Sequence, residues 1–218
     1  MVLLFLGAAL GLGLLGAVAY PLDDHFLYQR FAESLAAGHL DLSVAGFHGS
    51  DVFAALWHLL RPSPVSQIEA QLLFGMALPV AGYLAARSLH RSEECGLLMA
   101  MILAMSPFIT YSGLRGWTGA SLAFLYLLTI PLLLRRSRLA GVTWALAILT
   151  KPFAVGLLPL AILYAPPGGP WWKRSRAILV ASAIVVAYLG LQLLQAGRIH
   201  VGAHENLTAA SVWEGPAR

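Results

Sequence analysis

Asp23 and Asp24 are adjacent, and they follow closely on an uncharged apolar block at residues 2–19. Two neighbouring carboxylates can divide their work. One raises the other's pKa toward that of a useful proton acceptor, or helps it to hold a cation. Beside a segment long enough to cross a bilayer, such a pair would act on a substrate delivered by lipid. The plainer reading is two solvated acids next to a spanning helix. His25, His48 and His58 fall in the same stretch. Imidazole and carboxylate are competent metal ligands, so Asp23, Asp24 and His25 form a weak candidate set for a divalent cation such as Mg or Mn. No tight H-x-x-x-H spacing links His25, His48 and His58, and no metal centre is expected.

The surroundings of these residues are apolar. Hydrophobic residues make up 59% of the 218 and charged residues 11%, against roughly 25% charged in soluble domains. The mean hydropathy is +0.75. Apolar blocks recur at residues 2–19, 68–86, 96–111, 120–134, 140–149, 153–164 and 177–194. They predict an all-α polytopic membrane protein of about seven transmembrane helices. The fifth and sixth blocks are short and are separated only by Thr150-Lys151-Pro152. They form either two helices meeting at a tight turn or one re-entrant hairpin, and the charge pattern favours two helices.

That pattern alternates. Arg87 and Arg91, then Arg135, Arg136 and Arg138, then Lys173, Arg174 and Arg176 occupy every second linker. The positive-inside rule puts these linkers in the cytoplasm. The expected location is therefore a plasma (inner) membrane, with the N-terminus inside and the C-terminus outside. The net charge of +4 sits in these short linkers, so it bears on topology and excludes a nucleic-acid partner. Ala17-Val18-Ala19 resembles a signal-peptidase site, but no Lys or Arg precedes it, so a signal peptide is poorly supported. The lone Cys95 rules out an internal disulfide framework.

The chain reads as a single module over 1–218, with an outer loop at 20–67 and an outer tail at 195–218. In the loop, Leu27, Phe31 and Leu35 recur every four residues, with Gln29, Arg30 and Glu33 on other faces. This predicts an amphipathic helix lying in the membrane interface, capped by Asp24 and stopped at Gly38. A second short helix is expected over residues 52–60, capped by Ser50 or Asp51 and ended before Pro62.

Several segments carry a resemblance. The run Asp23-Asp24-His25-Phe26-Leu27-Tyr28-Gln29-Arg30-Phe31-Ala32-Glu33-Ser34-Leu35-Ala36-Ala37-Gly38 resembles the first outer loop of the GT-C superfamily, the polyprenyl-phosphate-sugar-dependent glycosyltransferases. Gly49-Ser50-Asp51-Val52-Phe53-Ala54-Ala55-Leu56-Trp57 is similar to that family's G-Y-T-S-P-L-W stretch, without the proline. Leu149-Thr150-Lys151-Pro152 is similar to its L-T-R/K-P segment, and Tyr111-Ser112-Gly113-Leu114-Arg115 to an S-G-M-E stretch with Arg in place of the acid. The resemblance implies transfer of a monosaccharide from a polyprenyl-phosphate donor to a glycan, lipid or protein acceptor outside the membrane.

In that reading Asp23 is the catalytic base, and Asp24 orients it or caps the helix. Lys151 clamps the donor phosphate, or else is an interfacial anchor that snorkels. Arg115 shares the phosphate, or is a solvated turn residue. Arg30, His48, Trp57 and Trp117 complete the candidate substrate-binding set, although the two tryptophans also fit an interfacial aromatic belt. Trp171 and Trp172 read as anchors. His200, His204 and Asn206 read as a solvated tail or as contacts to an acceptor. Relatives usually continue into further spans or an outer domain, so the acceptor site is expected to be incomplete, completed by a partner subunit, or unusually simple. The alternative class is a non-catalytic lipid-binding scaffold or a subunit of a larger glycosylation or transport complex. Reporter fusions after Arg91, Arg138 and Arg176 are expected to read cytoplasmic, and one after Gly202 external. A mixed pattern would remove Asp23 and Lys151 from a common face.

Overall fold

The structure is a computed structural model that describes residues 23–42, 48–106, 118–137, 139–163, 176–197, 199–200 and 206–207. Residues 23–26, 200, 206 and 207 are described by backbone alone. Its elements are helices α1 (Asp23–Ala36), α2 (Asp51–Leu60), α3 (Ser66–His90), α4 (Glu93–Ala104), α5 (Gly119–Leu134) and α6 (Leu139–Thr150). A 3-10 turn (Pro152–Leu157) then runs into α7 (Leu158–Leu163), and α8 (Arg176–Ala196) comes next. Two short strands, β1 (Ile199–His200) and β2 (Asn206–Leu207), pair antiparallel in the tail, with His200 opposite Asn206.

The described residues are thus almost entirely helical, as composition predicts. Each expected apolar block among them forms helix, but only α3 and α8 are long and apolar enough to cross a bilayer. The helix α6 has 12 residues, about 18 Å at 1.5 Å per residue, against a hydrocarbon thickness of roughly 30 Å. The first block, at 2–19, lies outside the described residues.

The helices pack in the order α4, α3, α5, α6, α8, with α1 and α2 laid against the first turns of α3. The main apolar core joins Ile130 and Leu133 of α5, Trp144 and Ala145 of α6, Leu157 and Ala161 of the next segment, and Ala181 of α8. Trp144 donates its indole N–H to the Ala154 carbonyl at 2.8 Å, which clamps the 3-10 turn to α6. Thr129 of α5 donates to Thr143 of α6 at 3.0 Å. Small residues set the closest approaches. A Cβ at Gly141 of α6 would lie 2.6 Å from the Val180 Cβ and 2.9 Å from the Ala177 carbonyl oxygen of α8.

The outside of the bundle is apolar. On α8, Val186 is 67% exposed and Leu194 83%, and only 11% of its most apolar window is buried. Polar side chains are turned inward instead: Gln67, Gln71, Ser121, Thr129 and Gln192 are all fully buried.

Four helices end on a residue in left-handed backbone: α1 on Gly38, α3 on Arg91, α5 on Arg136 and α8 on Gly197. Helix α1 closes on Gly38 at φ +83°. The Gly38 amide donates to Leu35 and the His39 amide to Ser34, the two bonds of a Schellman stop. Helix α5 closes in the same way, but with Arg136 at φ +56° in the glycine position. The start of α1 differs slightly from expectation. Asp23 and Asp24 are already in its first turn, where carboxylates favour the helix dipole, so Asp24 does not stand at the cap.

Gly141→Val is expected to wedge α6 from α8 and to cost about 1–3 kcal/mol. Gly190→Ala, on α8 but facing open space, should hold or raise stability. Thermal unfolding of the two variants in detergent checks this; equal melting temperatures would mean that the close approach carries no weight.

Candidate functional site

Polar groups converge at the end of the bundle where α3 begins. His48 and Asp51 face each other there, Nδ1 to Oδ2 at 2.7 Å, with both side chains fully buried. The second carboxylate oxygen, Oδ1, accepts from the Gln67 amide at 3.2 Å and from the Ser50 hydroxyl at 3.3 Å. The His48 ring stacks on Phe31 of α1 at a centroid distance of 4.0 Å, and Tyr28 meets it edge-on at 6.0 Å. Tyr188 of α8 packs with Phe31 and Leu42, and its hydroxyl lies near the His48 backbone and Asp51. Leu42 in turn donates its backbone N–H to Gln195 at the end of α8.

A second polar knot lies beside the first. Gln29 of α1 is 5% exposed. Its amide nitrogen donates to Glu33 at 2.6 Å, to Ser66 Oγ at 3.0 Å and to the Ser63 carbonyl at 3.1 Å. Its oxygen accepts from the Gln67 backbone N–H at 2.9 Å. Helix α1 is thereby docked on the bundle. Its apolar stripe, with Phe31 at 2% and Ala32 at 0% exposure, packs on protein, and Gln29 satisfies the opened first turn of α3.

The residues that lead into α2, 48–50, are set on the turn that carries Lys151. The Gly49 amide donates to the Leu149 carbonyl at 2.9 Å. A Cβ at Gly49 would clash with the Leu146 carbonyl oxygen and come within 2.7 Å of the Thr150 nitrogen. Only glycine allows that approach. The segments resembling G-Y-T-S-P-L-W and L-T-R/K-P, about a hundred residues apart in sequence, therefore touch backbone to backbone.

Lys151 itself is exposed, in extended backbone between α6 and the 3-10 turn that Pro152 opens. Helix α6 thus ends at Thr150 and a separate 3-10 segment begins at Pro152, with Lys151 in the turn between them. Arg30 is exposed on α1. Trp57 is half-buried and donates to Glu69 at 2.7 Å, and Glu69 pairs with Arg61 at 3.7 Å. Below Trp57 an apolar groove of about 290 Å³ runs between Phe53, Leu60, Leu73, Phe74 and Phe124.

His48 is not presented to a ligand; its ring is committed to protein contacts. His58 meets the Ser66 hydroxyl at 3.2 Å, away from His48. Among the described residues no three His, Cys, Asp or Glu side chains converge on a metal position. The side chains of Asp23, Asp24 and His25 lie outside the described residues, as do Arg115 and Trp117 entirely.

Asp51, Gln29, Gln67 and Tyr188 form a cluster that their spacing in the sequence does not reveal. One signal is present: Gln67, Gln71 and Gln192 stand within or beside apolar helices, and polar groups at such positions demand partners. Comparison of the chain with protein-family models, with curated proteins and with solved structures finds no match.

Asp51→Ala would remove the carboxylate that bonds to His48 Nδ1 and to the Gln67 amide, at about 1–3 kcal/mol for each lost buried bond. The expected result is a lower melting temperature together with faster proteolytic cleavage between α1 and α2. Wild-type behaviour in both assays would mean that the pair does not hold the loop.

Proposed function

We propose that the chain is a compact membrane glycosyltransferase of the GT-C type, moving a monosaccharide from a polyprenyl-phosphate donor to an acceptor at the outer face. The observation that carries this reading is the seating of Gly49 on Leu149 and Thr150. It joins the loop that comes after the paired acids to the turn that carries Lys151, two segments that resemble the same family independently of each other. Further support comes from the inside-out distribution of polarity, with exposed Leu and Val around buried Gln and Thr. Aliphatic side chains gain nothing from facing water, and amides turned inward are kept from contact with lipid.

In this reading the basic turns face the cytoplasm, and the shorter helices complete a seven-span bundle with the first block. The phosphate of the donor lies at Lys151, whose ammonium neutralises the leaving group. The prenyl chain runs along apolar surface beside it. The groove under Trp57 suits that chain, because Phe53 lines it and also packs on the cluster that contains Ala147 and Ala154, on either side of Lys151 in sequence. Asp23 takes the proton of the acceptor hydroxyl as the hydroxyl oxygen attacks the anomeric carbon, and the carbon–oxygen bond to phosphate breaks on the opposite side. Such a single displacement inverts the anomeric centre. General-base assistance of this kind contributes about 10²–10⁴-fold.

A second reading is a non-catalytic lipid-binding scaffold or subunit. It is favoured by the sealing of the best-built polar cluster, His48–Asp51, away from any ligand. Transfer of a labelled sugar from a polyprenyl-phosphate donor by the purified chain separates the two. Under the transferase reading, Asp23→Asn should lower turnover by about 10²-fold or more with donor affinity kept. Lys151→Ala should weaken donor affinity, and Lys151→Arg should retain most of it. Near-normal turnover in Asp23→Asn would remove it as the base, and unchanged affinity in Lys151→Ala would leave Lys151 an interfacial anchor.

A further inference from the structure

The opposite end of the bundle holds a second site of different chemistry. The α3–α4 turn and the α5–α6 turn lie side by side there and enclose a cavity of about 360 Å³, lined by Ser88, Leu89, Arg91, Leu134 and Arg135. That is within the usual span of small-molecule pockets, roughly 300–1,000 Å³. No carboxylate is among these lining residues. We propose that this cavity binds the phosphate of an anionic phospholipid headgroup, with Arg91 and Arg135 as its two cations and Ser88 as a hydroxyl donor.

Three observations carry the proposal. The first is that the two charges are uncommitted. Arg87, one turn earlier, pairs with Glu93 at 3.0 Å and lies over the Tyr83 ring at 5.7 Å. Arg91 and Arg135 make no ion pair among the described residues. Both sit at helix C-termini, where carbonyl groups repel an anion with about half a unit charge each; two full guanidinium charges exceed that. The second is backbone strain. Arg91 is held at φ +53° and its counterpart Arg136, next to Arg135, at φ +56°. A left-handed conformation costs a side-chain-bearing residue roughly 1–2 kcal/mol, and glycine would avoid that cost at either stop. Arginine in the left-handed position of both turns keeps a dense basic rim around the cavity.

The third observation selects a lipid over a free anion. The lining includes Leu89, which is 39% exposed, and Leu139 at 60% stands just beyond Arg136 and the turn. The exposed Leu97, Leu98, Met101 and Ile102 continue an apolar surface along α4. A headgroup between the arginines can therefore lay its acyl chains on the flank of the bundle. Basic pockets between helices at a membrane surface bind anionic headgroups in this way. The site is separate from Lys151 and does not depend on the transferase reading.

The test uses the full chain in phosphatidylcholine nanodiscs, with phosphatidylglycerol titrated in and its binding tracked by native mass spectrometry. Arg91→Gln and Arg135→Gln are each expected to weaken phosphatidylglycerol binding by roughly fivefold, and the double variant by more. Arg87→Gln should stay within about twofold, since that charge is already paired. Arg91→Lys with Arg135→Lys should keep most of the affinity. Unchanged affinity in both single variants overturns the site even if the double variant does not fold. Equal loss in Arg87→Gln also overturns it, because it would reduce the effect to general surface charge. Displacement of the lipid by inorganic phosphate at the same concentration overturns the lipid assignment in favour of a free anion.

Discussion

The contact between His48 and Asp51 is the constraint on which the candidate site depends. Both side chains are sealed from solvent, and in such surroundings a polar group without a partner is costly. The pair solves this by recruiting the Gln67 amide and the Ser50 hydroxyl to the same carboxylate. Those bonds tie α2 and the first turn of α3 to the loop that precedes them. The stack of His48 on Phe31 adds α1. Three elements that also share the apolar cluster of Ala32, Ala54, Ala55 and Ala70 are thereby joined by directional contacts, which fix the placement of His48.

That placement matters because Gly49 is next to His48. With the loop locked, its backbone reaches the end of α6 and bonds to Leu149. The turn it meets is braced from the other side, since Trp144 holds Ala154 and Thr150 bonds back to Leu146. Lys151 therefore projects from a rigid corner. Under the transferase proposal such a mounting would hold the cation at a fixed distance from the base, and precise positioning of that kind lowers a barrier.

The two ends of the bundle are chemically unlike. One gathers buried amides, hydroxyls and the His48–Asp51 pair, with Gly49 seated on Leu149 at the turn before Lys151. The other gathers Arg87, Arg91, Arg135 and Arg136 on neighbouring turns, with two of them in left-handed backbone. Between the ends the exposed surface is Leu, Val, Ile and Met. An apolar belt with a polar site at one rim and cations at the other is the distribution that a lipid environment favours.

The amino-acid sequence by itself determined the helical class, most helix positions and the alternation of basic linkers. These arise from local periodicity and from runs of apolar residues, which need no knowledge of neighbours. It also marked Lys151 and the stop at Gly38, because both sit in short turns with their own signature. What only the tertiary structure decided is which polar residues meet. Gln29 reads as solvated in the sequence and is buried in the fold, since its partner Ser66 lies 37 residues away. Asp51 reads as a helix cap and is the acceptor of a three-element knot. Helix lengths also fall short of seven full spans among the described residues. Partners distant in sequence leave no periodic trace, and a buried amide looks like an exposed one until the chain that covers it is in place.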